Sequence, residues 1–259
     1  MTTTQRIRRR HLRAALLVVI TAGALAMPAP AGASHSWGGY HWARTANPFT
    51  LKLGDNVSGS WDAVLATTSA DWTASAVLNT TIVGGSSKPK TCRAKAGMVQ
   101  VCNSKYGRNG WLGLAQIWAS GTHITQGAVK LNDTYFAMAK YNTAAWRNMV
   151  SCQEVGHTLG LDHQDEAFDN ANLGTCMDYT SNPSTNQHPN QHDYDQLALI
   201  YGHTDSTSTL ASSAAASSAR VHDRSDWGRQ VASSKDHRTA VFERDLGGGE
   251  KLLTFVVWA

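Results

Sequence analysis

Charge is scarce in this sequence. Only 16% of its 259 residues are Asp, Glu, Lys or Arg, against about a quarter in an ordinary globular protein. With 42% hydrophobic residues, that balance excludes a wholly disordered chain and argues against an all-helical coiled coil. Acidic residues are absent before residue 34. No internal repeat is visible, and beyond the N-terminus no apolar run is long enough to cross a membrane. The formal charge of +4 comes from Arg6, Arg8, Arg9, Arg10 and Arg13. Without those five, 18 basic residues face 19 acidic ones, a net charge of −1, which argues against a nucleic-acid binder driven by bulk charge. The length allows one or two domains with ample core.

What is present begins with an address. The Arg-rich residues 1–13 are followed by an apolar stretch, Ala14 to Met27, and then by Pro28-Ala29-Pro30-Ala31-Gly32-Ala33. This order is that of a secretory signal peptide over residues 1–33, cleaved after Ala31-Gly32-Ala33. A membrane anchor is the competing reading, but roughly 14 apolar residues fall short of the ~20 needed to span. Arg8-Arg9-Arg10-His11-Leu12-Arg13 is loosely similar to a twin-arginine signal, so either export route fits. Export places the four cysteines in an oxidising compartment. Of the three possible pairings, Cys92–Cys102 and Cys152–Cys176 are expected, with reduced buried thiols as the alternative.

The middle of the chain mixes strand and helix. Ser60 can cap a helix that carries Trp61, Val64, Leu65 and Trp72 on one side. Strands are expected near Phe49, at Val77–Val83, Met98–Val101, Trp111–Trp118 and Ala128–Leu131. A long helix should start near Asn142 or Thr143 and run to Leu159, and a last one covers Asp193–Tyr201. Trp111 and Trp118 are read as packing residues, and His188, His192 and His203 as surface residues. Residues 204–219 hold nine Ser or Thr and five Ala without an aromatic residue, so 204–222 is expected to be a flexible linker. Thr239–Glu243 and Leu252–Trp258 flank Gly247-Gly248-Gly249, which predicts a β-hairpin in a 223–259 extension. Residues 34–203 form the main domain.

The chemistry concentrates in Gln153 to Tyr179. Gln153 and His157 stand four apart, on one helix face. Two ligands on one helix can converge on a metal in this way. Glu154 is placed to hold a water beside that metal without entering its coordination shell. Gly160 lets the chain leave the helix in a left-handed conformation, so that His163 can return as a ligand. Cys176-Met177-Asp178-Tyr179 follows.

This pattern resembles the metzincin zinc peptidases, whose signature is His-Glu-x-x-His-x-x-Gly-x-x-His followed by a methionine turn. Glu154, His157, Gly160 and His163 match in type and spacing, and Met177 stands where the turn belongs. Gly113-Leu114-Ala115, Ile124, Gly127–Asn132 and the helix ending Leu199-Ile200-Tyr201-Gly202 are similar to the matrixin branch, so the resemblance covers about residues 40–203. It implies an α+β fold with a twisted mixed sheet, an active-site helix and a methionine turn. It implies a secreted, monomeric zinc endopeptidase acting on protein or peptide substrates, without nucleic-acid or membrane partners. His157, His163 and Gln153 would face the Zn2+, Glu154 would be the general base, and Tyr179 would stabilise the oxyanion. The backbone of residues 112–117 would pair with an extended substrate. No inhibitory cysteine segment of the family's type is visible.

Gln153 departs from the family, which has histidine there. A neutral amide offers zinc only a carbonyl oxygen. Three readings stay open at this point. Gln153 is a weak third ligand, or Tyr179 takes its place, or the site holds metal poorly. In the last case the chain is a non-catalytic secreted binding protein on the same scaffold.

Overall fold

Runs rich in β-branched and apolar residues become strands here because helices cover one face and aromatic clusters the other. The computed structural model describes residues 1–2, 34–211, 217 and 219–259. The expected signal peptide therefore falls almost wholly outside the described residues. The strands are β1 (His41–Trp42), β2 (Phe49–Asn56), β3 (Leu78–Gly84), β4 (Lys95–Ala96), β5 (Met98–Ser104), β6 (Trp111–Ser120), β7 (His123–Asn132), β8 (Arg229–Ser233), β9 (Thr239–Gly247) and β10 (Glu250–Trp258). They join one mixed, twisted sheet in the order β3-β2-β5-β4-β7-β6-β10-β9-β8, with β1 added to β7. The β2–β3, β2–β5, β5–β7 and β1–β7 pairs are parallel, and β6–β7, β6–β10 and β9–β10 are antiparallel. The helices are α1 (Ser60–Thr73), the single turn α2 (Asp133–Phe136), α3 (Ala144–Thr158) and α4 (Gln191–Ile200), so the fold is α+β.

The main core lies between the sheet and α1 and α3. It contains Trp61, Leu65 and Trp72 of α1, Met149, Val150 and Val155 of α3, and Leu51, Leu53, Val99, Val101, Ile117 and Val129 of the sheet. β5 is buried along nearly its whole length, as a central strand covered on both faces must be. On the opposite face Trp111 packs with Leu114, Trp227 and Phe242, and Trp118 packs with the Cys92–Cys102 pair. Both tryptophans are thus packing residues.

Two local expectations change. α1 begins at Ser60, but its N-cap is Gly59 at φ 68°, with no side-chain cap bond. The strand expected at Ala128–Leu131 starts five residues earlier, because a tight turn at Gly121 returns the chain directly along β6. β1, β4, β8, the single turn α2 and the 3-10 turn Arg224–Trp227 were not foreseen. Two-residue strands carry no periodicity to read.

The C-terminal hairpin forms from β9 and β10, and it is not a separate unit. β10 pairs with β6 from Glu250 opposite Ser120 to Trp258 opposite Trp111. Leu253, Phe255 and Val257 enter the main core, while Val256 and Trp258 join the cluster on the other face. The described start of the expected linker is also fastened. Asp205 N–H donates to the Arg44 carbonyl at 2.8 Å, and Thr209 N–H donates to that of Ala43 at 2.9 Å.

Both disulfides pair as expected, Cys92–Cys102 and Cys152–Cys176. The second spans 24 residues. Replacing both of its cysteines by serine is expected to cost about 3 kcal/mol in the chain-entropy account, seen as a lower urea midpoint with a steeper slope, because the unfolded chain without the cross-link exposes more surface. Among the described residues no helix is long and apolar enough to cross a membrane. That fits export, as do the two disulfides.

Lys130 on β7 carries a charge at a cost. Burial pushes its ammonium down to about 8, so below that pH the fold holds an ion taken from water. A folded pKa below the unfolded 10.5 means stability is lost as pH falls from about 10.5 to about 8. Lys130→Met should therefore gain about 1–3 kcal/mol at pH 7. The gain should shrink towards pH 10, as denaturant melts at the two pH values would record.

Candidate functional site

Helix α3 is set in place at both ends of its functional stretch. Thr143 caps its start by accepting from Trp146 N–H at 3.2 Å. Trp72 Nε1 donates to the Cys152 carbonyl at 3.1 Å, Trp42 Nε1 to that of Thr158 at 2.9 Å, and the Tyr201 hydroxyl to that of Leu159 at 3.0 Å. The last two satisfy carbonyls that a helix C-terminus leaves without partners. Gly160 follows at φ +92°, and a Cβ there would lie 2.0 Å from the Tyr40 carbonyl oxygen. Only glycine fits both the conformation and the space. The chain then turns back and brings His163 beside His157, with ring centroids 4.5 Å apart and planes at 77°.

Met177 lies beneath α3. A Cβ on Gly156 would approach its Sδ to 2.6 Å and the Trp72 ring to 2.8 Å. The backbones also meet there, where Gln164 N–H donates to the Met177 carbonyl at 2.6 Å. Cys176, one residue before, is tied by its disulfide to Cys152, one residue before Gln153. The turn and the helix are thereby coupled covalently.

Gln153, Glu154, His157, His163 and Tyr179 are all buried. His157 donates Nδ1–H to the Leu161 carbonyl at 2.9 Å, which leaves a lone pair on Nε2. Burial, assisted by neighbouring His163, pulls its pKa down to about 3, so the ring stays neutral. His163 Nδ1 is 2.7 Å from the Tyr179 hydroxyl and 3.4 Å from Asp162 Oδ1. With Nδ1 engaged there, Nε2 is the ring nitrogen left to meet a ligand. Both Nε2 atoms lack hydrogen-bond partners, as do Oε1 and Nε2 of Gln153 and both carboxyl oxygens of Glu154. A cluster of buried polar atoms without partners is what a fold presents to a missing ion or water. Burial raises the Glu154 carboxyl well above its ordinary range.

Tyr179 does not face the cluster as an oxyanion donor would. Its hydroxyl lies behind His163, on Nδ1, which makes it a positioning residue for that ring. Phe168 stacks on it, and the Arg238 guanidinium lies 4.0 Å over Phe168.

The edge expected to receive substrate is taken. Residues 112–117 of β6 pair with β10, with Phe255 opposite Ala115 and Val257 opposite Gly113. Phe255 lies flat on the His157 imidazole, with centroids 4.5 Å apart and planes 7° apart. Trp37 forms a T-shaped pair with the same ring, with centroids 5.6 Å apart. A cleft of about 360 Å³ lies elsewhere, beside Lys90, Arg93, Trp118, Lys130 and Arg220.

A second cluster escaped sequence reading. His41, His123 and Asp205 bring one ligand atom each to within 4.8 Å of one another, a group able to hold a metal ion. The three come from β1, the start of β7 and the segment after α4, so no spacing announces them. His203, expected as a plain surface residue, is half exposed and borders this group. No family model matches the chain, and no curated protein matches it.

Proposed function

We propose that this chain is a secreted zinc-dependent endopeptidase of the metzincin type, near the matrixin branch, whose cleft is covered by its own C-terminal hairpin. The observation that carries the proposal is the set of buried, partnerless atoms: Nε2 of His157 and His163, the Gln153 amide and the Glu154 carboxyl. The donor set fits zinc, with two neutral imidazoles from the ordinary zinc repertoire and an amide oxygen as a weak third ligand. A bound zinc would polarise the scissile carbonyl and acidify a water.

The chain's own groups supply the rest. Glu154, one residue along α3 from Gln153, takes the proton of the attacking water and passes it to the leaving amine. Tyr179 fixes the His163 ring through Nδ1. The outer edge of β6 aligns an extended substrate by strand addition, as β10 now does. In the closed form burial raises the Glu154 carboxyl above its ordinary range.

The neutral amide at Gln153 and the sealed site also favour a second reading, a catalytically inactive secreted binding protein on this scaffold. Metal content of the purified protein, followed by casein cleavage with and without a chelator, separates the two. The peptidase reading expects bound zinc and chelator-sensitive turnover once the hairpin is loosened. Zinc-free protein that never cleaves would overturn it.

A further inference from the structure

We propose that His41, His123, His203 and Asp205 form a structural zinc site, distinct from the cluster on α3. A tetrahedral zinc with bonds of 2.0–2.1 Å sets its ligand atoms about 3.4 Å apart. Four of the six separations here are close to that edge, and the half-exposed His203 ring, which stands outside the group of three whose ligand atoms all lie within 4.8 Å of one another, would turn towards His123 to complete the set. Asp205 Oδ1 lies 3.2 Å from Nε2 of His123, 3.5 Å from Nε2 of His41 and 3.7 Å from Nε2 of His203. Nε2 of His203 lies 3.3 Å from that of His41. Three imidazole nitrogens and one carboxylate oxygen are a zinc donor set.

The surroundings aim these atoms. His41 gives Nδ1–H to the Gly39 carbonyl at 2.8 Å, which directs a lone pair from Nε2 into the cluster. Arg44 holds the other carboxylate oxygen of Asp205 by Nη1 at 2.8 Å and by its backbone N–H at 3.1 Å. Oδ1 is thus turned to the imidazoles.

Four protein ligands leave no open position, which is the mark of a structural rather than a catalytic zinc. The ion would join β1, the start of β7 and the segment after α4. It would pin the chain where it leaves α4 towards the hairpin.

The test uses the full chain carrying His157→Ala and His163→Ala, so that zinc on α3 does not contribute. Calorimetric titration with Zn2+ after chelation should find one equivalent bound, and the melting temperature should rise with zinc. Replacing zinc by Co2+ should give the intense visible absorption of a tetrahedral ion. Adding His123→Ala should abolish the equivalent, and adding His203→Ala should weaken it at least tenfold. Both of these rings reach solvent, so their loss leaves the core intact. A background chain that binds no zinc, or binding unchanged by His123→Ala, overturns the site. Affinity unchanged by His203→Ala overturns the four-ligand assignment.

Discussion

Phe255→Ala is expected to raise peptidase activity two to three orders of magnitude above that of the intact chain. The Phe255 ring is buried against His157 and Trp37, and truncating such a ring costs about 3–5 kcal/mol. Each 1.4 kcal/mol is about a tenfold change in an equilibrium. If the cost falls on docking of β10, the population with β6 uncovered rises about 100- to 1000-fold. Cutting the chain at a protease site introduced between residues 211 and 217 should add to the effect, since the hairpin would then be held by strand pairing and side-chain packing without the covalent link. Casein cleavage inhibited by a chelator is the measurement, with near-UV circular dichroism as a check on the main core. A folded variant that binds zinc and extended peptides but never cleaves them would leave only the binding-protein reading.

Gln153→His is the second large effect. The α3 backbone already presents position 153 one turn before His157, and the side chain is buried with both polar atoms free. Imidazole is a far better zinc ligand than a neutral amide. Altering partners outside the coordination shell already changes affinity 10- to 100-fold, so zinc affinity should rise by about 100-fold or more. Turnover in the uncovered form should rise with it, and Glu154→Ala should abolish that gain while leaving zinc bound. Loss of activity in the histidine variant, with tight zinc binding by the wild type, would instead mark Gln153 as a tuned ligand.

The parts of the molecule set by local pattern were legible in the sequence. The α3 boundaries follow from the Thr143 cap and the glycine at 160. The place of Met177 under the helix follows from its motif, the Cys152–Cys176 bond from cysteines that flank that motif, and the Cys92–Cys102 bond from closeness in sequence. The hairpin itself was readable from Gly247-Gly248-Gly249 between two apolar runs.

What was not readable depends on which surfaces meet across long stretches of chain. Alternation within Leu252–Trp258 announces a strand but not its partner. That Phe255 would cover His157 depends on β6 being the free edge of the sheet. The hydroxyl of Tyr179 lies on Nδ1 of His163, a direction set by rotamer and packing that no spacing announces. His41, His123 and Asp205 share no motif at all, and only the β1–β7 pairing and the strap after α4 bring them together.

The β6–β10 pairing also dictates an order of assembly. Gln116 and Thr254, whose side chains bond across it, are 138 residues apart. During synthesis every other neighbour of β6 exists long before β10 does. For that interval β6 is a bare edge, with a row of unpaired N–H and C=O groups beside apolar side chains. Such an edge is a template for another chain, and contacts this distant in sequence form slowly. The nascent domain therefore passes through a sticky and open stage, and β10 ends both conditions in one step. Conditions that delay its docking should favour clumping during export as much as premature exposure of the cleft.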